Sequence, residues 1–395
     1  MEQAETIFQH IDPVAKDPIF TINALFNEDP RPDKVNLTIG YLASPEGSFP
    51  VILESVKEAT LEIVKTERTK NYLPISGDKG YVEGVRNLIF KELAQERTVG
   101  LGTAGGTAAI RLVAEFVYRQ LTHRVCLSNP TWANHNQIFH ALGFEIDYYP
   151  YEMGHESNFH RVVDHFAHLP ERTLVLFQPM SHNPTGVDFT LEEWKELSFL
   201  CKQRKLIPFF DSAYQGLGMG FYEDVEPIAV FIRDGHEVFV SHSFSKSMGL
   251  YGERVGAAFV VMNSLEHKDN VMNRMQMLTR TQYSNPPRHG ESLAAKILLN
   301  EERKNRWMKE VDAMRGHVNQ FRQKFSQQFQ AISGKDGSYI SKGHGFFCQL
   351  GMTKEQVERL KNEFGVYVAN GARINLAALN EKNLDPVMKA IQGVM

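Results

Sequence analysis

Residues 237–261, EVFVSHSFSKSMGLYGERVGAAFVV, constrain the fold more than any other stretch. Two apolar runs, 238–240 and 255–261, are long enough for buried strands. Between them stand Ser243, Ser245, Lys246 and Ser247, then Gly249, Gly252 and Arg254. Glycines let backbone come close, and the hydroxyls and Arg254 supply donors for an anion. Lys246 falls on the connection, close to the sheet interior, where desolvation lowers an amine's pKa and makes it nucleophilic. An ordinary loop carrying a solvated lysine is the plain alternative.

The rest of the chain favours the chemical reading. GTAGGTAAIRLVAEFVYRQ (102–120) runs from glycines and threonines straight into an apolar-faced helix. Free amides at a helix start, with the positive end of its dipole, bind anions. Gly100, Gly102 and Gly105 have the G-x-G-x-x-G spacing, but no apolar strand run leads into them and no Gly-Lys-Ser/Thr follows, so the stretch reads as neither a dinucleotide fingerprint nor a P-loop. Strand and helix then alternate: strand 124–128, helix 132–141, strand 144–149, helix 159–168, strand 172–178, helix 191–204 and strand 206–211. Thr190 with Glu193, and later Thr353 with Gln356, are spaced for capping boxes. Such alternation predicts an α/β fold, a mostly parallel sheet covered by helices on both faces. Ligands bind such sheets beyond the carboxyl ends of the strands. The polar residues found there are Asn129, Trp132, Asn183, Asp211, Tyr214, Ser243 and Lys246.

The flanks are less regular. Residues 1–47 carry prolines at 13, 18, 30, 32 and 45 and read as an irregular arm, with a short strand within 35–42. Helices are expected at 51–64, 81–95, 263–282, 290–299 and 301–329. The last leads into a smaller α+β terminal domain with strands in 339–350 and 365–379 and helices at 353–364 and 384–394. The expected division is an arm with part of the small domain (1–47), a large domain (48–310) and a small domain (311–395).

A formal charge of -4 gives no field for nucleic acid or an anionic membrane, and no apolar run reaches transmembrane length. The N-terminus lacks a secretory pattern. Three widely spaced cysteines, Cys126, Cys201 and Cys348, predict reduced thiols in a cytoplasmic setting. Cys126 reads as a small buried hydrophobe. His155, His160, His165 and His168 match no metal motif, so no metal is expected.

Together the strand-end residues suit one group. Lys246 can condense with an aldehyde, and Asp211 can keep a pyridine nitrogen protonated. Tyr214 and Asn183 can donate to a phenolate oxygen, and Trp132 can stack on a ring. The helix start at 105–107, with Ser243, Ser245 and Arg254, can hold a phosphate. That set describes pyridoxal 5'-phosphate. Arg280 and Arg373 remain, and guanidinium groups suit carboxylates.

The motifs NYLPISG (71–77), AGGTAA (104–109), SNPTWANH (128–135), HNPTG (182–186), FDSAYQG (210–216), SFSKS (243–247), ERVGA (253–257), RTQYSNPP (280–287) and NGARINLA (370–377) occur in one order over nearly the whole chain. In this the sequence resembles the aspartate and aromatic aminotransferases, fold-type I pyridoxal phosphate enzymes. The resemblance implies a seven-stranded sheet and ping-pong transamination between an amino acid and 2-oxoglutarate. By matching position, Lys246 corresponds to the Schiff-base lysine and Asp211 to the partner of the pyridine nitrogen. Asn183 and Tyr214 correspond to the phenolate contacts, Trp132 to the stacked ring and His135 to the residue behind the aspartate. Gly106, Thr107, Ser243, Ser245 and Arg254 correspond to the phosphate cradle, Arg373 to the α-carboxylate arginine and Gly40 to the mobile loop near substrate. The family's homodimer shares its sites. Tyr72 resembles the residue reaching the neighbour's phosphate, and Arg280 the arginine that meets the second carboxylate of aspartate or glutamate. Aromatic substrates are the alternative, followed by a lyase or decarboxylase on the same cofactor, or a non-catalytic regulatory domain. Ala104, Ala108, Ala133, Met180, Ser181 and Ser247 depart from the family's common residues without removing a reacting group.

Overall fold

Apolar runs too short for helices and too continuous for exposed strands pair side by side into a central sheet. The computed structural model describes residues 6–13, 18–43, 50–151 and 159–395. A two-residue strand, β1 (Val35–Asn36), comes first. The sheet strands follow: β2 (Thr98–Ala104), β3 (Arg124–Asn129), β4 (Glu145–Pro150), β5 (Leu174–Phe177), β6 (Ile207–Ser212), β7 (Val238–Ser243) and β8 (Val255–Val261). They form one seven-stranded sheet in the order β2-β8-β7-β6-β5-β3-β4. The pairs from β7 to β4 are parallel, whereas β8 runs antiparallel to both β2 and β7. The fold is the expected α/β sheet with one reversed strand.

Alternate side chains supply two cores. Val125, Leu127, Leu176, Phe209 and Val260 face the helices Gly106–Gln120 and Lys268–Gln282, while Cys126, Val175, Phe177, Phe210 and Phe259 face the helices Leu191–Gln203 and Arg288–Leu298. Parallel strands buried on both sides have this composition. Both capping boxes form: Thr190 Oγ1 accepts from the Glu193 N–H, Thr353 Oγ1 from the Gln356 N–H, and each partner side chain returns the bond.

Beyond the sheet, β9 (Phe347–Gln349) pairs antiparallel with β11 (Arg373–Asn375), and β10 (Val366–Tyr367) pairs parallel with β1. The helix Glu301–Ser333 packs against this region.

Four readings need correction. Strand β2 was hidden by Gly100 and Gly102, which sequence patterning treats as breakers. Here a Cβ at Gly100 would lie 2.4 Å from the Phe259 ring and one at Gly102 would lie 1.9 Å from Glu291 Oε1, so glycine is what lets β2 pack. The arm holds a helix, Pro18–Glu28, because a proline at a helix start sacrifices no bond. A further helix, Glu226–Arg233, stands between β6 and β7. Ser338–Lys342 is helical rather than extended: the Asp336 carboxylate accepts from both the Ser338 N–H (2.8 Å) and its hydroxyl (2.9 Å). His155 and the first residues of the arm lie outside the described residues.

Candidate active site

A cavity of about 280 Å³ opens where the sheet meets the β9–β11 pair and the segment after β1. Lys246 reaches it from the turn after β7. The lysine is half-buried in the cavity wall, and desolvation, seconded by the charges of Arg373 and Arg254, brings its amine down to about 7. The amine donates to the Gly40 carbonyl and lies 4.9 Å from the centre of the Tyr251 ring. A nucleophilic amine requires this environment.

Asp211 sits at the carboxyl end of β6, buried, with one oxygen 3.1 Å from His135 Nε2 and the other accepting from the Ser241 hydroxyl at 3.1 Å. His135 is itself fixed by Thr131, whose Oγ1 lies 2.8 Å from its Nδ1. Trp132 stands edge-on to His135, with ring centres 5.2 Å apart, and lines the same cavity.

Beside Lys246 the helix Gly106–Gln120 begins, its cap Gly105 at φ 83°. Gly106 and Thr107 line the cavity with Ser243, Ser245 and Arg254. The Ser245 N–H donates to Ser243 Oγ at 3.2 Å, and Arg254 Nη1 is tied to the Tyr251 carbonyl at 3.0 Å. A Cβ at Gly105 would fall 2.6 Å from Arg254 Nη2, so the guanidinium rests directly on the helix start. Amides, hydroxyls and a guanidinium thus converge on one anion-sized space.

Asn183 and Arg373 close the opposite wall. Arg373 Nη1 donates to Asn183 Oδ1 at 3.0 Å and Nη2 to the Thr38 carbonyl at 2.7 Å, while its plane lies 4.2 Å over the Phe347 ring. Its Nε is buried without a partner, a donor set that invites an anion. Tyr214 is buried nearby, and burial pushes its phenol above the ordinary value.

Every residue expected in the Lys246 site lines this cavity or, for His135, stands directly behind it. Tyr72 and Arg280 do not. Tyr72 is exposed, and both line a separate surface cavity with Ser284 and Asn285. Sequence reasoning missed Thr38, Gln178, Tyr251 and Phe347. Gln178 exchanges two hydrogen bonds with the Asn183 backbone, and Tyr251 was available in the 237–261 stretch. The residues fit pyridoxal phosphate: a half-buried amine, a backed carboxylate and an anion cradle lie around one space of suitable size.

Residues 32–391 match the model for the family described as "Aminotransferase class I and II". The chain belongs to the class I and II aminotransferases. Among related aminotransferases, the aspartate aminotransferase of Pseudomonas aeruginosa is 38% identical across 99% of this chain and 100% of that one. The tyrosine aminotransferase of Klebsiella pneumoniae is likewise 38% identical, over 98% of this chain and all of its own. The crystal structure of the aromatic-amino-acid aminotransferase from Burkholderia pseudomallei, covalently bound to pyridoxal phosphate, superposes with a TM-score of 0.93 at 35% identity, covering 99% and 100% of the two chains.

Proposed function

We propose that this chain is a pyridoxal phosphate-dependent aminotransferase that moves amino groups between aspartate or glutamate and a 2-oxo acid such as 2-oxoglutarate. The observation that carries this reading is the meeting of the Lys246 amine, the Asp211 carboxylate and the Arg373 guanidinium around one cavity. When bound, the cofactor supplies an aldehyde carbon for the amino group and a protonated ring that accepts negative charge. Gly106, Thr107, Ser243, Ser245 and Arg254 would hold its phosphate. Asp211, kept in place by His135 and Ser241, would hold the ring nitrogen; Asn183 and Tyr214 would meet the phenolate oxygen, with Trp132 against the ring.

Arg373 orients the substrate α-carboxylate, and its bonds to Asn183 and Thr38 fix the direction of approach. Lys246 Nζ, whose pKa burial lowers to about 7, would take the proton from the substrate's α-carbon and deliver it to the carbon that carried the aldehyde. Proton transfer by a positioned amine of matched pKa needs no further base.

Completing the pocket requires a second copy of the chain. Tyr72 and Arg280 project from an exposed surface, as residues that serve a neighbour's site would, and Arg280 would then meet the distal carboxylate of a dicarboxylic substrate. We also propose the division at 47/48 and 310/311 and a cytoplasmic location. Among the described residues no helix is long and apolar enough to cross a membrane. Aromatic substrates are the second reading, favoured by Trp132, Tyr251 and Phe347 in the cavity wall.

Product analysis tests the reaction class. With aspartate and 2-oxoglutarate, oxaloacetate and glutamate form in equal amounts, and without the 2-oxo acid turnover stops. Sustained release of alanine and carbon dioxide from aspartate alone would instead establish a decarboxylase.

A further inference from the structure

Outside the active-site cavity, three side chains of different chemistry converge at the free edge of the sheet. Cys126 on β3 and Asp147 on β4 are directly paired positions of two parallel strands, so their side chains leave the same face. His165, on the helix Phe159–His168, comes down onto that face. Its Nε2 lies 3.7 Å from Cys126 Sγ and 3.1 Å from Asp147 Oδ2, and all three atoms are within 4.8 Å of one another. Cys126 is fully buried, His165 is partly covered and Asp147 is open to solvent.

Both neighbours address the same ring nitrogen. A Cys-His-Asp nucleophilic triad places its thiol and carboxylate on opposite nitrogens of the imidazole. Here one proton on Nε2 cannot serve both partners well, and a substrate cannot reach a fully buried sulfur. A cation in place of that proton satisfies all three. Zinc bonds of about 2.3 Å to sulfur and about 2.0–2.2 Å to nitrogen and oxygen set tetrahedral neighbours about 3.4–3.6 Å apart. The separations of 3.7 Å and 3.1 Å differ from these by a few tenths of an ångström.

We propose that Cys126, Asp147 and His165 bind one zinc ion, with solvent completing the shell on the Asp147 side. Thiolate, imidazole and carboxylate together suit zinc better than a hard cation such as magnesium or calcium. On binding, the thiol proton leaves to solvent as the metal–sulfur bond forms. None of the three lines the Lys246 cavity, so the metal has no part in transamination. Its place is structural. It ties β4, which among the described residues pairs with β3 alone, to the helix that covers it.

The test uses holoenzyme stripped of metal by a chelator and titrated with zinc chloride by calorimetry. One zinc per chain binds, and His165→Ala and Asp147→Asn, both partly exposed positions, each weaken it at least tenfold without changing metal-free aminotransferase activity. Cobalt(II) in the same protein gives the intense red absorption bands of four-coordinate cobalt, clear of the cofactor's own absorption, and His165→Ala removes them. Zinc raises the thermal midpoint of the parent protein and leaves that of His165→Ala unmoved. No zinc bound, or binding of equal strength in both variants, overturns the assignment.

Discussion

Lys246 carries the residue-scale argument, because its environment and its task require the same thing. A half-buried, desolvated amine near two guanidinium groups is disfavoured as a cation, and it falls to about 7 instead of the ordinary 10.5. The neutral fraction of Lys246 in cofactor-free protein therefore grows as pH rises through about 7. We predict that the rate of pyridoxal phosphate capture rises with pH through this range and levels off above it; a rise delayed to pH 10 would mean that the amine is solvated. Replacing Lys246 with alanine removes both the covalent anchor and the proton carrier, and turnover should fall by at least about 10³-fold. Arg373→Ala should raise KM for aspartate and glutamate by about tenfold or more, because the buried guanidinium is held by Asn183 and Thr38 in one orientation. Steady-state kinetics with both substrates checks each change.

At the scale of elements, glycine decides how closely strand and helix approach. A Cβ on Gly256 of β8 would stand 2.5 Å from the Gly105 carbonyl carbon and 2.8 Å from the Gly106 nitrogen. Both are backbone atoms that cannot swing aside. Gly256→Ala should therefore displace the start of the helix Gly106–Gln120 and weaken pyridoxal phosphate binding at least tenfold, measured by equilibrium dialysis; unchanged affinity would show that this helix start does not hold the phosphate. A second test lies in the helix Arg288–Leu298. Glu291 is fully buried, accepts the Asp78 N–H at 2.7 Å and is pushed up to about 8, first by burial and then by Asp78. Between its ordinary 4.5 and about 8 the folded state keeps a proton that the unfolded chain releases, so this group's contribution to stability falls as pH rises through that window. Glu291→Gln has no such proton. Urea midpoints of parent and variant should draw apart in the variant's favour from pH 5 to pH 9, and parallel curves would contradict the burial argument. These elements also show where the sequence was readable. Helices with caps and apolar faces and strands with continuous apolar runs were legible, because their signals are local. Strand β2 was not, since Gly100 and Gly102 are explained only by Phe259 and Glu291, which are far away in the chain. The Lys246 site was legible through strand-end residues and ordered motifs. Phe347, Thr38 and the Cys126–Asp147–His165 cluster were not, because only the tertiary fold brings them together.

At the scale of the whole molecule, the single chain leaves its candidate second-carboxylate arginine on the surface. If each site takes Lys246 from one copy and Arg280 from the other, Lys246→Ala and Arg280→Ala chains should complement each other. In a mixed dimer one of the two sites then has both residues. Refolded as an equal mixture, the two variants should recover about a quarter of parental activity with aspartate, since random pairing makes mixed dimers about half of the total. No recovery would show that Arg280 does not serve a neighbour's site. The central claim, transamination with dicarboxylic preference, is tested most directly by following the cofactor's absorption in a half-reaction. Purified, pyridoxal phosphate-loaded protein is mixed separately with aspartate, glutamate, tyrosine and phenylalanine, with no 2-oxo acid present. The account predicts conversion of the cofactor from its aldehyde to its amine form with all four, faster with aspartate and glutamate. Comparable or greater rates with the aromatic pair would contradict the preference, and no conversion with any of the four would contradict the reaction itself.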